Sequence, residues 1–455
     1  MNKSNLAAQM FSAILLTVSS LQAQENSGLT GIKWNGYIQT DNRMQIDNNN
    51  SFSWQEYRLG LKAEVNPVEK AHFYSEIWLR SFQFPSVQNT TDLQDKDNTS
   101  PLGLDLREAY FDIYGFIDDD LDLRIGRQRI AWGKGDKLNP TDNLNADELE
   151  DIWDFGRHLG SDGITAKYYM SDFTLSGVYI PIFNPALLPA GQLASAMSSA
   201  MDLPGELSVG SSVESIQLPD NNFKDGVTAG MKLSNQIFNF DYSLSYVYGR
   251  DDFPALEGAI FKATSDPNII GIETRLIYPR IQVAGVDFAG SVTDIGLWGE
   301  AGVFFPDKVK STLDMSELGM GVQESVSVDN EPYIKYVIGA DYTFKNGIYI
   351  NGQYLHGFIH ERGIDNIEDY FMFGIEKKFM NDKIKIIPVS GGIEIKDFDE
   401  IKNNYGFVFA PEFYYYPVEN TEIMLSIRII EGKDTTMFGR IKDTDEICLK
   451  FNYSF

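Results

Sequence analysis

Apolar residues alternate with polar ones along most of this chain, and the alternation continues to its last residue. The final segment has an apolar face of Ile447, Leu449, Phe451, Tyr453 and Phe455, and a polar face of Cys448, Lys450, Asn452 and Ser454. Side chains of a β-strand point alternately to opposite sides, so one face suits lipid and the other suits water. The same period recurs over residues 421–429, and it predicts an all-β fold.

Two kinds of connection separate the alternating segments. Short turns are predicted near residues 66–67, 116–120, 171–172, 235–236, 293–294, 345–347, 381–382 and 417–420. Longer polar crossings are predicted at 83–103, 133–160, 183–223, 250–279 and 306–332. A soluble β-sandwich also alternates, but short turns at one end and long loops at the other are typical of outer-membrane barrels. We predict a single closed antiparallel transmembrane β-barrel of about 18 strands, with about 16 as the nearest rival.

The first residues predict export. Residues 1–23 carry one charge at Lys3, an apolar centre from Met10 to Val18 and a small residue at Ala23, which is the layout of a secretory signal peptide. We expect cleavage after Ala23 and assign residues 24–455 to the barrel. No later stretch reaches the roughly 18 to 20 continuous apolar residues of a spanning helix, and no cysteine follows the leader to carry a lipid anchor. The predicted location is the bacterial outer membrane.

Charge narrows the expected partners. The chain has 38 Lys+Arg against 65 Asp+Glu, a net charge of −27, so nucleic acid is not expected to bind. The expected partners are outer-membrane lipid and an unidentified small solute. Acidic runs occur in the connections at 118–120 and 142–154, where the carboxylates are either simply solvated or bind a divalent cation.

The polar faces of three successive strands indicate which residues line the lumen. They are His72, Glu76 and Arg80 on the first strand, Glu108 and Asp112 on the second, and Arg124 and Gln128 on the third. Both charge signs therefore meet inside the wall. One interpretation is a constriction whose transverse field filters solutes, and the other is a ladder of ion pairs that stiffens the barrel.

The segment 123–133, Leu-Arg-Ile-Gly-Arg-Gln-Arg-Ile-Ala-Trp-Gly, is the most distinctive of the chain. It is followed by Asp136, Asn139 and Asp142 as candidate residues of a constriction or lid loop. The arginines of the segment offer paired N–H donors that would hold Asp136 or Asp142 folded over the pore, or simply pin the loop. Gly126 would allow a neighbouring side chain or an infolded loop to approach the wall closely.

The crossing at 183–223 contains the one helical pattern, over residues 193–203. Leu193, Met197 and Met201 fall on one face of this helix. A small apolar helix there would plug the lumen or line an entrance for hydrophobic solutes, or else cap the barrel rim.

The middle half of the chain resembles the porin-like outer-membrane barrels grouped around alginate-export and related channels, many of which are domains of unknown function. The matching segments are Leu106–Tyr110, Arg124–Gln128, Trp132–Gly133, Asp136, Asn139–Asp142, Val178–Pro185, Leu188–Pro189 and, more weakly, Gly285–Phe288. The resemblance implies a passive or substrate-selective channel. It also implies that the barrel-assembly machinery recognises the terminal aromatic residue, Phe455.

Three functions fit these features. The first is a channel for small solutes with a mixed-charge lumen and an acidic vestibule, the second is a transporter of hydrophobic molecules gated by the 193–203 helix, and the third is a surface adhesion or scaffold barrel. We expect no catalysis, because no G-x-S-x-G elbow stands out and the four histidines do not indicate a Ser-His-Asp set. We expect no metal or cofactor, because His356 and His360 lie in a strand-to-loop context where their spacing does not bring two ligands together.

Overall fold

The alternating segments form hydrogen-bonded strands that close on themselves. The structure is a computed structural model, and it describes residues 31–46, 50–82, 84–190, 192–197, 208–266 and 268–455. The predicted leader, residues 1–23, lies outside the described residues. In chain order the strands are β1 Lys33–Gln45, β2 Phe52–Val68, β3 Ala71–Phe82, β4 Gly103–Ile113, β5 Leu121–Gln128, β6 Ser161–Met170, β7 Phe173–Ile180, β8 Ser208–Gln217, β9 Thr228–Ile237, β10 Phe240–Arg250, β11 Ala255–Ala263, β12 Ile269–Ile277, β13 Arg280–Val292, β14 Ile295–Pro306, β15 Val309–Met315, β16 Gly321–Val328, β17 Tyr333–Thr343, β18 Ile348–His356, β19 Asp369–Phe379, β20 Ile384–Ile395, β21 Tyr405–Phe409, β22 Glu412–Tyr415, β23 Thr421–Gly432 and β24 Glu446–Ser454.

Nineteen of these segments make one continuous antiparallel sheet. Each barrel strand pairs with the next, and β24 pairs with β1, where Tyr37 lies opposite Ser454, so the sheet is closed. The short segments β21 and β22 both pair with β20 on one side and β23 on the other, so they are two parts of one strand. The barrel therefore has 18 strands, which confirms the predicted fold class.

Eight short turns connect the strands at the periplasmic end, at 69–70, 114–120, 171–172, 238–239, 293–294, 344–347, 380–383 and 416–420. Two predicted turns were misplaced, because residues 66–67 lie inside β2 and residues 235–236 lie inside β9. Pro67 sits where the β2–β3 register shifts, so a bulge accommodates the missing N–H and the strand continues. The turn after β9 instead uses Phe238 in the left-handed region, at φ +55°.

The outer face of the barrel is apolar. Ile427 and Leu449 point outward and are 40% and 50% exposed. Cys448, the residue before Leu449 in β24, points to the lumen side and is fully buried. Aromatic side chains are exposed next to the periplasmic turns, including Phe344, Phe379, Phe413, Tyr415 and Tyr453. An apolar band edged by aromatic residues matches the hydrocarbon and headgroup layers of a bilayer.

The long loops contain structure that the sequence analysis missed. Strands β8, β11, β12, β15 and β16 lie within predicted polar crossings and form a separate five-stranded sheet in the order β16-β15-β11-β12-β8. One face of this sheet buries Ala259, Phe261, Ile270, Ile272 and Met315. Three of the predicted polar crossings therefore supply strands that pair only with one another.

The α-helices in the described part of the chain are short. They are α1 Lys96–Thr99, α2 Gln192–Met197 and α3 Met437–Arg440. Helix α2 coincides with the first half of the predicted 193–203 helix, and residues 198–203 lie outside the described residues. Among the helices that the structure describes, none has the length and apolar composition needed to cross a membrane.

Candidate pore constriction

The loop at 129–160 leaves the wall after the short strand β5 and folds into the lumen. Asn145 holds the two arms of the loop together, because its Oδ1 accepts from Ile130 N at 2.7 Å and its Nδ2 donates to Gln128 O at 3.1 Å. Gln128 itself is buried and donates to Gly163 O at 3.0 Å on strand β6. Gly126 adopts φ +127°, where a Cβ would lie 2.4 Å from Ala109 O, so the atoms close to this glycine are the backbone of β4 and not a side chain or the loop.

One of the three arginines around β5 pins the loop. Arg129 Nη2 lies 2.5 Å from Asp142 Oδ2, and its backbone N donates to Glu108 Oε1 at 2.7 Å. The other two arginines stay on the wall, where Arg124 pairs with Asp112 and Arg127 with Asp162. Asp136 makes no ion pair with any described residue, so the alternative in which an arginine holds Asp136 is wrong.

Ion pairs attach one side of the loop to the first strands of the barrel. Arg43 of β1 contacts Asp151 at 2.5 Å, Arg80 of β3 contacts Glu150 at 2.7 Å, and Arg107 of β4 contacts Glu148 at 2.5 Å. Asp151 is almost completely buried, and the Arg43 guanidinium overcomes that burial and holds the pKa of the Asp151 carboxyl below its usual value.

These pairs correct the interpretation of the acidic run at 142–154. Asp142, Glu148 and Asp151 are 7%, 1% and 5% exposed, so they are not solvated. Their charges are compensated by arginines, and the described residues contain no group of acidic, His or Cys side chains that could hold a metal ion. The run is acidic because the wall opposite it is basic.

Apolar packing attaches the opposite side of the loop. Ile130, Trp132 and Leu144 are buried in one cluster with Val178, Ile180, Val247, Ile281, Val283, Phe304 and Tyr333, which belong to β7, β10, β13, β14 and β17. Burying side chains of this size contributes about 1.5 to 3 kcal/mol each. The loop therefore spans the lumen from a charged wall to an apolar wall.

The tip of the loop is fixed to a third part of the wall. Asp136 N donates to Gln353 Oε1 at 2.9 Å, and Gln353 Nε2 donates to Asp136 O at 3.2 Å. Leu138 is 2% exposed and packs against Val337 and Leu355. Asn139, the third predicted constriction residue, holds the turn through its Nδ2, which donates to Gly135 O at 3.0 Å.

Two cavities meet at this tip. The upper cavity, about 80 Å³, lies at the loop end of the barrel and is lined by Ile180, Arg250, Ile281, Lys335 and Arg362 among others. The lower cavity, about 320 Å³, lies on the periplasmic side and is lined by Tyr349, Glu376, Ser390, Gly392 and Glu412 among others. Lys137 and Leu138 line both cavities, so the loop tip is the partition between them.

The predicted lumen residues form a ladder on the wall. Asp112 accepts from Arg124 Nε at 2.6 Å and lies 3.1 Å from His72 Nδ1. Glu76 accepts from Trp78 Nε1 at 2.8 Å. Arg80 belongs to both the wall and the constriction, because it contacts Glu56 of β2 as well as Glu150 of the loop. These contacts are the ion pairs expected of a ladder on the wall, and Arg80 extends the ladder to the loop.

The helix α2 lies at the upper mouth. Ala196 is buried, and Leu193 and Met197 pack against the apolar cluster that contains Leu138, Phe358 and Phe438. Arg440 Nη1 donates to Ala196 O at 2.9 Å, which fastens α2 to the last loop. Met201, the remaining predicted residue of this segment, lies outside the described residues.

A second charged cluster surrounds the upper cavity. Arg362 contacts Asp251 at 2.5 Å, and Asp252 Oδ2 accepts from Asp147 N at 2.7 Å. Burial, together with the nearby carboxylates of Asp147 and Asp251, raises the pKa of Asp252 to about 7. This cluster and the ion pairs of Arg43 and Arg107 were not predicted from the sequence. The one signal that could have indicated the ion pairs is that arginines lie on polar strand faces while the 142–154 run is acidic.

A closed antiparallel barrel with an even strand number, an apolar outer band, short turns at one end and long loops at the other is the architecture of bacterial outer-membrane proteins. The protein is therefore an outer-membrane β-barrel, with its turns in the periplasm and its long loops outside the cell.

No family model matches the sequence, and no curated protein matches it either. Among solved structures, the chain is similar to OmpF of Salmonella typhi in complex with daunomycin, with 10% identity and a TM-score of 0.40 over 94% of this chain and 98% of that chain. It is also similar to OmpT, an outer membrane protein of Vibrio cholerae, with 8% identity and a TM-score of 0.41 over 94% of this chain and 99% of that chain.

Proposed function

We propose that this protein is a non-enzymatic, substrate-selective outer-membrane channel whose bore is set by the 129–160 loop. The observation that carries the proposal is the attachment of this loop across the lumen, by ion pairs on one side and apolar packing on the other. A loop held at both sides narrows the lumen to a defined gap, and charged groups beside such a gap filter solutes. The resemblance to alginate-export-type barrels is consistent with a channel.

The favoured solutes are small and cationic or neutral. Asp136 at the loop tip, Glu376 and Glu412 line the lower cavity. Arg428, a basic group of the same lining, is paired with Glu446. Net negative charge in a narrow, low-dielectric passage attracts cations and repels a polyanion.

Planar-bilayer recordings in KCl test this proposal. Leu138→Ala removes the apolar side chain shared by the two cavities, and we expect a higher single-channel conductance. Leu104→Ala, a matched truncation of a 70% exposed residue outside the constriction, is expected to leave it unchanged. Asp136→Asn is expected to move the zero-current potential in a KCl gradient towards lower cation preference. A wild-type barrel that carries no current, or equal conductance in all three variants, contradicts the proposal.

A second candidate is a transporter of hydrophobic molecules gated by α2. It is favoured by the packing of Leu193, Ala196 and Met197 on the apolar cluster at the upper mouth. Deleting residues 193–203 would then raise the uptake of apolar solutes. Continued silence in bilayers and unchanged uptake after this deletion count against both transport functions.

A third candidate is a surface adhesion or scaffold barrel. It is favoured by the extracellular five-stranded sheet, in which all ten residues of the edge strand β8 are exposed. Cell adhesion that survives mutations of the constriction but is lost with this sheet would support it over a channel.

We further propose that residues 1–23 are removed on export and that the assembly machinery recognises Phe455. The terminal residue completes the barrel seam, because Phe455 N donates to Gly36 O and Gly36 N donates to Phe455 O, both at 2.9 Å. Deleting Phe455 is expected to reduce the heat-modifiable, folded form on gels of outer membranes, and mass spectrometry of the mature protein tests the cleavage site. Unchanged folding without Phe455 contradicts its proposed role.

A further inference from the structure

One strand of the barrel wall is interrupted beside the lower cavity. Segments β21 and β22 are separated by Ala410 and Pro411, and both pair with β20. Between the paired residues Ile387 and Gly391, β20 has three residues, whereas the facing strand has two between Phe409 and Glu412. This mismatch is a β-bulge, which weakens the ladder locally.

Prolines on both strands remove hydrogen bonds from this part of the wall. Pro388 of β20 and Pro411 of the facing strand have no N–H. Pro411 faces the other edge of its strand, where its O accepts from Ile427 N of β23 at 3.4 Å. Within the interruption, Ala410 N donates a backbone hydrogen bond to Ser390 O at 2.8 Å. On its other edge β20 is also irregular, because its register with β19 shifts between Ile375 and Lys377.

The interruption lies on the loop side of the aromatic residues Phe413 and Tyr415, which pair with Ile386 and Ile384 of β20. Pro388 is the fifth residue of the 12-residue strand β20, and its side chain is exposed on the outer face. A barrel in hydrocarbon normally satisfies every backbone group between its strands, because lipid offers no replacement hydrogen bonds. Because proline has no backbone N–H, a proline at this position leaves no unsatisfied N–H donor when the seam opens.

The lower cavity reaches the wall at the same place. The side that faces the seam is lined by small residues, Gly374, Ser390, Gly391, Gly392 and Ala410. At Gly391, which has φ +146°, a Cβ would lie 1.9 Å from Val408 O, so no larger residue fits without moving the strands apart. The lumen therefore extends to the wall backbone here.

The lining of the lower cavity also includes apolar and aromatic side chains. Trp153 and Phe155 come from the constriction loop and Phe438 from α3, while Met372 of β19 lies beside Gly392. Apolar side chains that line a water-filled lumen are costly to expose, and they favour solutes with apolar surface. The cavity thus joins an apolar lining to a weak seam in the wall.

We propose that the seam between β20 and the β21–β22 strand is a lateral exit, through which small apolar or amphipathic solutes pass from the lower cavity into the bilayer. This route goes beyond the aqueous channel proposed above and shares only the lower cavity with it. Ions do not leave through this exit, because the hydrocarbon outside the wall excludes charged groups.

A reversible cross-link tests the exit. Ser390→Cys and Ala410→Cys, combined with Cys448→Ser, place two thiols on residues of facing strands that are joined by the Ala410 N to Ser390 O hydrogen bond. Facing residues of antiparallel strands have Cα separations of about 4.5 to 5.5 Å, which suits a disulfide. The control pair Ala284→Cys and Val303→Cys faces across the regular β13–β14 ladder. Uptake of N-phenyl-1-naphthylamine, an uncharged dye that fluoresces in bilayers, is measured in cells whose outer leaflet excludes it.

We expect oxidation of the 390–410 pair to reduce dye uptake to the level of cells that lack the protein, and dithiothreitol to restore it. The control pair should leave uptake unchanged, and within each double-cysteine variant the KCl conductance should be the same before and after oxidation. Unchanged uptake despite a disulfide confirmed by mass spectrometry overturns the proposal, as does a parallel loss of conductance. A barrel that carries no KCl current but still shows cross-link-sensitive uptake overturns only the aqueous channel.

Discussion

At the scale of single residues, the carboxylates of the 129–160 loop are defined by the arginines that they face. Asp151 shows this most clearly, because Asp151 and Asp41 both contact the buried Arg43 guanidinium. Arg43 Nη2 lies 2.6 Å from Asp41 Oδ2. Arg43 is 2% exposed, so it has no access to bulk water that could replace a lost partner. Removing the negative charge of Asp151 therefore leaves a partly uncompensated buried cation.

We predict that Asp151→Asn lowers the stability of the barrel by about 1 to 3 kcal/mol, the range for a buried charged group that loses a partner. Thermal unfolding of the detergent-solubilised protein, followed by circular dichroism, measures the change. Asp154→Asn is the control, because Asp154 is 47% exposed and lies 3.9 Å from Arg157. Equal effects of the two substitutions would mean that the Arg43 pair does not anchor the loop.

Asp252 predicts that the stability of the barrel falls as the pH rises. Its pKa is raised to about 7 from an ordinary value of 3.8, so the folded protein prefers the neutral carboxyl. The stability that this group contributes is present below about pH 4 and is lost as the pH rises through about 7. The unfolding temperature should fall between pH 5 and pH 8 in the wild type and fall less in Asp252→Asn. An identical pH profile of both proteins would contradict the role of Asp252.

At the scale of elements, the strands were predictable and the path of the constriction was not. Alternation in β23 and β24 is a local property, so the sequence alone reveals which side chains face lipid. The loop path depends on pairs such as Arg43 and Asp151, which are 108 residues apart in the chain. The acidic run was visible, but nothing local distinguishes a carboxylate in water from one opposite a wall arginine. The five-stranded sheet was missed for the same reason, since its strands pair across separate loops.

The loop as an element predicts a gating phenotype. Glu148→Gln and Glu150→Gln together weaken the contacts of the loop with Arg107 and Arg80 of the wall. They also weaken the contact of Glu148 with Arg157 inside the loop, and they leave the apolar side of the loop attached. We expect more frequent current transitions in planar bilayers, with the mean open conductance raised. The matched control is Glu257→Gln with Glu273→Gln, which changes the same charge in the extracellular sheet. Steady currents in the loop variant would show that the ion pairs are dispensable for holding the constriction.

At the scale of the whole molecule, one closed sheet separates the lipid outside the barrel from the lumen inside it. Its outer face meets lipid, and its inner face carries arginines that hold a loop across the lumen. The loop divides the lumen into an upper and a lower cavity, and the interrupted strand adds a weak seam beside the lower one. The central claim is that Lys137 and Leu138 form the narrowest part of the aqueous path.

Thiol modification at Lys137 tests that claim most directly. Lys137→Cys with Cys448→Ser places one reactive thiol at the loop tip, and Lys308→Cys with Cys448→Ser places one on the extracellular side as the control. A bulky, uncharged methanethiosulfonate reagent added to either side of a planar bilayer should lower the single-channel current of the Lys137→Cys barrel and leave the control unchanged. An unaltered current through a barrel that mass spectrometry shows to be modified at position 137 would contradict a constriction at the loop tip.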